Sequence, residues 1–268
     1  MSGGRSSFYW PMRLLPKAKR QAMFALYGFC RAVDDISDGD FDTDTKRAKL
    51  TTLRAALTTW QQTGIALHPA IADLAPFVQR FTLPVAELEL LLDGMETDVN
   101  SPLTAPTMAE LSQYCRQVAG TVGVLAIHIL GRPDARDFAL ALAEALQLTN
   151  ILRDVAKDFA NGGRIYLPLA DLARFGIAPE DFPKRQAIPR FRELMAFEAD
   201  RAEALYDQAV AELPPEDQRS MAAAEIMRRI YHRLLWKMRH DGFRVFEKQY
   251  RLGKLEKLGI IARGLIWP

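Results

Sequence analysis

The 268-residue chain carries 35 Lys and Arg against 33 Asp and Glu, a net charge of +2, with 49% hydrophobic and 25% charged residues. That balance excludes a disordered or fibrous chain and leaves no basic surplus for nucleic acid. The most apolar run, Val122 to Leu130, falls far short of the ~20 residues that span a bilayer, so no transmembrane helix is expected.

An aromatic run, Ser6-Ser7-Phe8-Tyr9-Trp10, precedes the first predicted helix, Lys17 to Ile36, which Pro16 opens and Asp38-Gly39-Asp40 closes. Apolar residues recur every three or four positions through Met23, Leu26, Tyr27, Cys30 and Val33. Toward its end, one face reads Tyr27, Arg31, Asp34 and Asp38, with Asp35 an extra acid inside the pattern. Further helices are predicted at about 43–62, 69–81, 84–98, 107–130, 134–160, 187–213 and 217–240, separated mostly at prolines. Inside 107–130, Gly120 and Gly123 each cost about 1 kcal/mol relative to Ala, which implies close approach by another helix or by an apolar ligand. Period-two alternation is nearly absent. The expected fold is all-α: one domain over 1–268, a helical bundle large enough to enclose an apolar cavity.

The helix at 134–160 repeats the device of the first. Gln147, Asn150, Asp154 and Asp158 share a stripe, with Arg153 at its edge, beside apolar Leu146, Leu148, Ile151, Leu152 and Val155. Acids one turn apart cost a helix roughly 0.2–0.5 kcal/mol, and an unpartnered buried carboxylate costs several kcal/mol. Such acids lie at a solvent-facing edge, are solvated in a cavity, are paired, or ligand a cation, and the second copy of the pattern favours a bound cation. Magnesium is the natural candidate, because it takes oxygen ligands, binds through one or two carboxylates and leaves its other sites to water and phosphate. Arg31 and Arg153 would meet the remaining phosphate oxygens.

The other features carry less. His68, His128, His232 and His240 lack zinc spacing, and no glycine-rich dinucleotide fingerprint is present, so NADPH is not expected. Cys30 and Cys115 read as reduced thiols of a cytoplasmic protein, since Met1 to Arg5 has no apolar leader. The tail, 242–268, has six Lys/Arg against two Glu among apolar residues. A basic amphipathic end of this kind either packs on its own domain or lies peripherally on the inner face of a membrane.

Taken together, Ser7 to Trp10, Leu14-Leu15-Pro16, Tyr27 to Asp38, Gly94-Met95-Glu96-Thr97-Asp98, Tyr114 to Gly123 and Gln147 to Pro168 resemble the squalene/phytoene synthase family. Within it, the pieces are most similar to the bacterial presqualene diphosphate synthases of squalene and hopanoid biosynthesis. The resemblance implies an all-α isoprenoid-synthase fold in which two aspartate-rich helices face each other across a deep apolar pocket. It implies head-to-head condensation of two farnesyl diphosphates through two or three Mg²⁺ ions. Asp34, Asp38, Asp154 and Asp158 then match the metal-binding acids, joined by Asn150. Gln147 matches a residue at the same mouth, and Phe8, Tyr27, Arg31, Arg153, Arg164 and Tyr166 match substrate-binding positions. Tyr114 matches a tyrosine near the reacting carbons, while Leu26, Phe29, Val118, Val122 and Leu146 are candidates for setting pocket depth. Phytoene, dehydrosqualene and one-step squalene synthases are the alternatives within the family. A non-catalytic scaffold subunit, a head-to-tail prenyl-transferase or a terpene cyclase are alternatives outside it. Contact with downstream squalene-pathway enzymes is also implied.

Overall fold

The computed structural model describes residues 9–213 and 220–266. A short helix α1 (Tyr9–Arg13) leads into α2 (Lys17–Ser37), α3 (Thr43–Thr63), α4 (Pro69–Phe81) and α5 (Val85–Asn100). Next come α6 (Met108–Cys115), a π-helical segment (Arg116–Gly120) and α7 (Thr121–Leu130). The long α8 (Arg136–Ala160) precedes α9 (Leu169–Arg174), α10 (Phe191–Ala211), α11 (Ala222–His240) and α12 (Lys254–Ile266). Extended pairing among the described residues is limited to one isolated parallel bridge, Thr104 to Ile165.

Local chemistry explains the boundaries. Asp42 accepts from the Thr45 amide at 2.8 Å to cap α3, and Thr107 with Glu110 forms a reciprocal capping box on α6. Pro69 begins α4, where its missing N–H costs nothing. The stretch expected to be one helix over 107–130 is interrupted by the π segment, which periodicity alone does not reveal. The helix expected from 187 begins at Phe191 instead, after a 3₁₀ stretch over Pro179–Ala187.

The buried apolar residues form two clusters. One joins α2 to α3, α4, α5 and part of α7 through Leu26, Phe29, Val33, Leu53, Leu74, Leu91 and Leu125. The other gathers α8, α10 and α11 around Phe138, Leu148, Leu152, Leu194, Tyr206 and Leu235. Only partly buried Met23 and Val118 pack against both. Helices α2 and α8 both pack on a shared neighbour, α7. A seam runs between them.

Glycine sets the walls of that seam. A Cβ on Gly123 would come 2.9 Å from the Ala139 carbonyl oxygen of α8. One on Gly94 would lie 2.8 Å from Val118 and 2.9 Å from Gln117. Of the two reasons weighed for glycine in this stretch, close helix packing is the one seen at Gly123. Leu26 and Phe29, weighed as simple core or as pocket-depth residues, are essentially fully buried in the α2–α5 core. Met23, Tyr27, Cys30 and Asp34 are among the half-buried side chains of α2.

Candidate active site

The half-buried stripe of α2 becomes polar toward its C-terminal end, where Asp34 and then the exposed Asp38 follow Tyr27 and Cys30. That of α8 does the same, running from Leu146 through Gln147, Asn150, Arg153 and Asp154 to Asp158. The two polar ends converge. Desolvation pushes the Asp158 carboxyl up to about 7, with Asp154 adding to the rise and Asp38, from the opposite helix, contributing as well. Desolvation likewise raises Asp34 to about 6, against Arg31 and with help from Asp38, Asp35 and Asp98. Carboxylates of α2, α5 and α8 thus feel one another across the seam.

Arg164 sits at their centre, with 12% of its side chain exposed. Its guanidinium donates to Asp38 Oδ1 and to the Asp98 carbonyl oxygen, each at 3.4 Å. Two glycines with positive φ, Gly162 (82°) and Gly163 (73°), turn the chain off the end of α8. The parallel bridge then holds the next segment, with the Ala105 amide donating to the Ile165 carbonyl at 2.7 Å and the Ile165 amide to the Leu103 carbonyl at 3.2 Å. Those bonds fix where Arg164 and Tyr166 enter the site.

Beneath Arg164 lies a group that sequence reasoning quoted without assigning a role. Asp98, 7% exposed, accepts from the Tyr114 hydroxyl at 2.9 Å and from the Tyr166 hydroxyl at 3.1 Å. The two phenol rings stack with centroids 5.1 Å apart, and their hydroxyls lie 3.3 Å from each other. Burial raises all three groups: the Asp98 carboxyl against the pull of Arg164 and the two tyrosines, and the phenols chiefly by desolvation and then by Asp98. A small pocket of about 10 Å³, room for roughly one water, is lined by Asp158, Arg164, Tyr166 and Phe182 among others. A surface cleft of about 370 Å³ lies elsewhere, between Phe191 and Phe246, and holds none of these residues. The site is therefore identified by its chemistry rather than by the bulk of its opening.

Other expected residues fall around this centre. Arg153 grips both carboxylate oxygens of Asp154, and Tyr231 of α11 lies against Arg153 and Asn150, a neighbour that no spacing in the sequence could supply. Asn150 donates to Gln147 Oε1 at 3.4 Å, while its own Oδ1 is buried with no hydrogen-bond partner among the described residues. Arg31 pairs with Asp35 at 2.6 Å on the exposed side of α2, which gives Asp35 the role its position in the sequence left open. Tyr27 is half-buried on the seam. Phe8 lies outside the described residues.

This donor set fits a hard divalent cation. The available ligands are oxygens, desolvation raises two of the carboxyls, and the buried Asn150 carbonyl oxygen has no hydrogen-bond partner among the described residues. Among the described residues no three His, Cys, Asp or Glu side chains close on one point. Each ion would consequently take one or two protein carboxylates and fill its shell with phosphate and water, as magnesium does.

Comparison with known proteins decides the class. The sequence pattern of the squalene/phytoene synthase family matches residues 1–256. The chain belongs to the squalene/phytoene synthase family. It is 37% identical to a presqualene diphosphate synthase of Rhodopseudomonas palustris over 96% of this chain and 91% of that one. It is 35% identical to a phytoene synthase of Mycobacterium bovis over 97% and 86% of the two chains. The fold matches the crystal structure of a dehydrosqualene synthase in complex with ligand, with a TM-score of 0.83 at 30% identity, covering 98% of this chain and 92% of that one. As an enzyme of this prenyl-transferase family it acts on isoprenoid diphosphates, and among the described residues no helix is long and apolar enough to cross a membrane.

Proposed function

We propose that this squalene/phytoene synthase joins two farnesyl diphosphates head to head, Mg²⁺-dependently, to give presqualene diphosphate, a step toward squalene and hopanoids. The observation that carries the reading is the placement of Asp38 of α2 and Asp158 of α8 beside Arg164, on helices whose partly buried Met23 and Leu146 pack, with Val118, against the apolar core. Identity to a presqualene diphosphate synthase supports this product. Similar identity to a phytoene synthase keeps a phytoene-type product as the second reading.

Asp34, Asp38, Asn150, Asp154 and Asp158 would hold the magnesium. Bound there, the metal would neutralise the diphosphate and turn it into a leaving group. Arg31, Arg153 and Arg164 bind the remaining oxygens, where guanidinium groups donate bidentately. Tyr27 and Gln147 line the same mouth. The prenyl chain lies along the seam, whose apolar side chains keep water from the allylic cation. The second chain attacks that cation through its C2–C3 double bond, and proton loss closes the cyclopropane. Tyr114 is held as a neutral phenol, so it serves as base only by accepting the substrate proton on oxygen while its own proton passes to Asp98.

The test is incubation with farnesyl diphosphate and Mg²⁺, with and without NADPH, and mass spectrometry of the lipid. Presqualene diphosphate formed without NADPH supports the reading. A C40 product from geranylgeranyl diphosphate alone moves the assignment to phytoene synthesis, and no Mg²⁺-dependent consumption of any prenyl diphosphate rejects the reaction.

A further inference from the structure

Helix α12 has two apolar faces. One docks: Ile261 is 8% exposed, and a Cβ on Gly264 would meet Ile226 of α11 at 2.7 Å. Glu256 faces the same helix, accepting from Lys237 at 3.2 Å. The other face is bare. Leu255 is 84% exposed, the highest value among the exposed large apolar side chains of the described residues, and Leu258 is 51% exposed. Gly259 and Ala262 continue the stripe at helical spacing, and both are exposed. Exposed Lys254 and Arg263 flank it on either side, with Arg251 just before the helix, and neither Lys254 nor Arg263 makes an ion pair among the described residues.

A 13-residue helix is about 20 Å long, too short to span a bilayer but suited to lying in its surface.

We propose that the Leu255–Leu258 face of α12 is a docking surface for an anionic lipid membrane. Leucines enter the acyl boundary while Arg251, Lys254 and Arg263 meet lipid phosphates. A second copy of the chain fits this face less well, because a two-fold contact would bring the same basic flanks together. The benefit of such docking rests on the proposed reaction, whose product is an amphiphile with a C30 apolar part that partitions into a bilayer.

Sedimentation with phosphatidylglycerol or phosphatidylcholine vesicles tests this on the full chain. Wild-type protein should bind phosphatidylglycerol, bind it more weakly in high salt, and bind phosphatidylcholine poorly. Leu255→Glu with Leu258→Glu should lower binding at least about tenfold, with unchanged circular dichroism and unchanged turnover in detergent. If that variant loses helix, Lys254→Glu with Arg263→Glu gives the same reading. Absent binding to phosphatidylglycerol, equal binding by a folded variant, or self-association abolished by the leucine changes without vesicle binding would each overturn the proposal. Vesicle binding needs no turnover, so an inactive protein that binds overturns only the reaction, and an active protein that does not bind overturns only the docking.

Discussion

Asp34 and Asp158 carry the clearest pH signature. Both carboxyls have folded-state values, about 6 and about 7, above those of an unfolded chain. An acid raised in this way binds its proton more tightly when folded, so it favours folding at low pH and opposes it as pH rises through those values. Metal-free protein should therefore gain stability from these two groups as pH falls from ~7 toward ~5. Asp34→Asn or Asp158→Asn should stabilise it near neutrality by on the order of 1–2 kcal/mol, after discounting for partial exposure. Under the proposed reaction Mg²⁺ binds the ionised carboxylates, so it should act oppositely and raise the melting temperature more at pH 8 than at pH 5.5. Melting curves across pH, with Mg²⁺ or EDTA, check both signs. Asp98 makes a separate case. Asp98→Asn leaves the shape but removes the carboxylate that accepts from Tyr114 and Tyr166, so kcat should fall roughly 10- to 100-fold with little change in KM. The acid rows were legible in the sequence because each repeats within one helix. Asp98 was not, because Tyr114 and Tyr166 lie 16 and 68 residues away in the chain.

At the scale of elements, periodicity and proline placement located α2, α3, α4, α5 and α8 to within a few residues. What escaped was information held between helices. The π segment at Arg116–Gly120 has helical hydrophobic spacing and differs only in its backbone bonds. The direction of Leu26 and Phe29 depends on α3 and α5 packing outside α2, which no pattern within α2 encodes. Gly123 shows how tightly α7 is bound to α8. Gly123→Ala gains helix propensity but drives its methyl toward the Ala139 carbonyl oxygen, 2.9 Å from the added carbon. Overpacking should win, destabilising the protein by about 1–3 kcal/mol in urea unfolding. α12 was legible as a basic amphipathic tail, but which of its faces docks became visible only against Ile226 of α11.

Over the whole molecule, two apolar cores stand on either side of a seam, and the acid rows of α2 and α8 meet at its polar end. Buried leucines fill each half. Arg164 couples the halves by reaching from the segment after α8 to Asp38 of α2. The account stands on the cooperation of both rows, and the measurement that addresses it most directly is Mg²⁺-dependent consumption of farnesyl diphosphate by Asp34→Ala and Asp158→Ala variants. Each change should lower turnover by at least about 100-fold while the helical circular dichroism is retained. Turnover near the wild-type rate in either folded variant would contradict it.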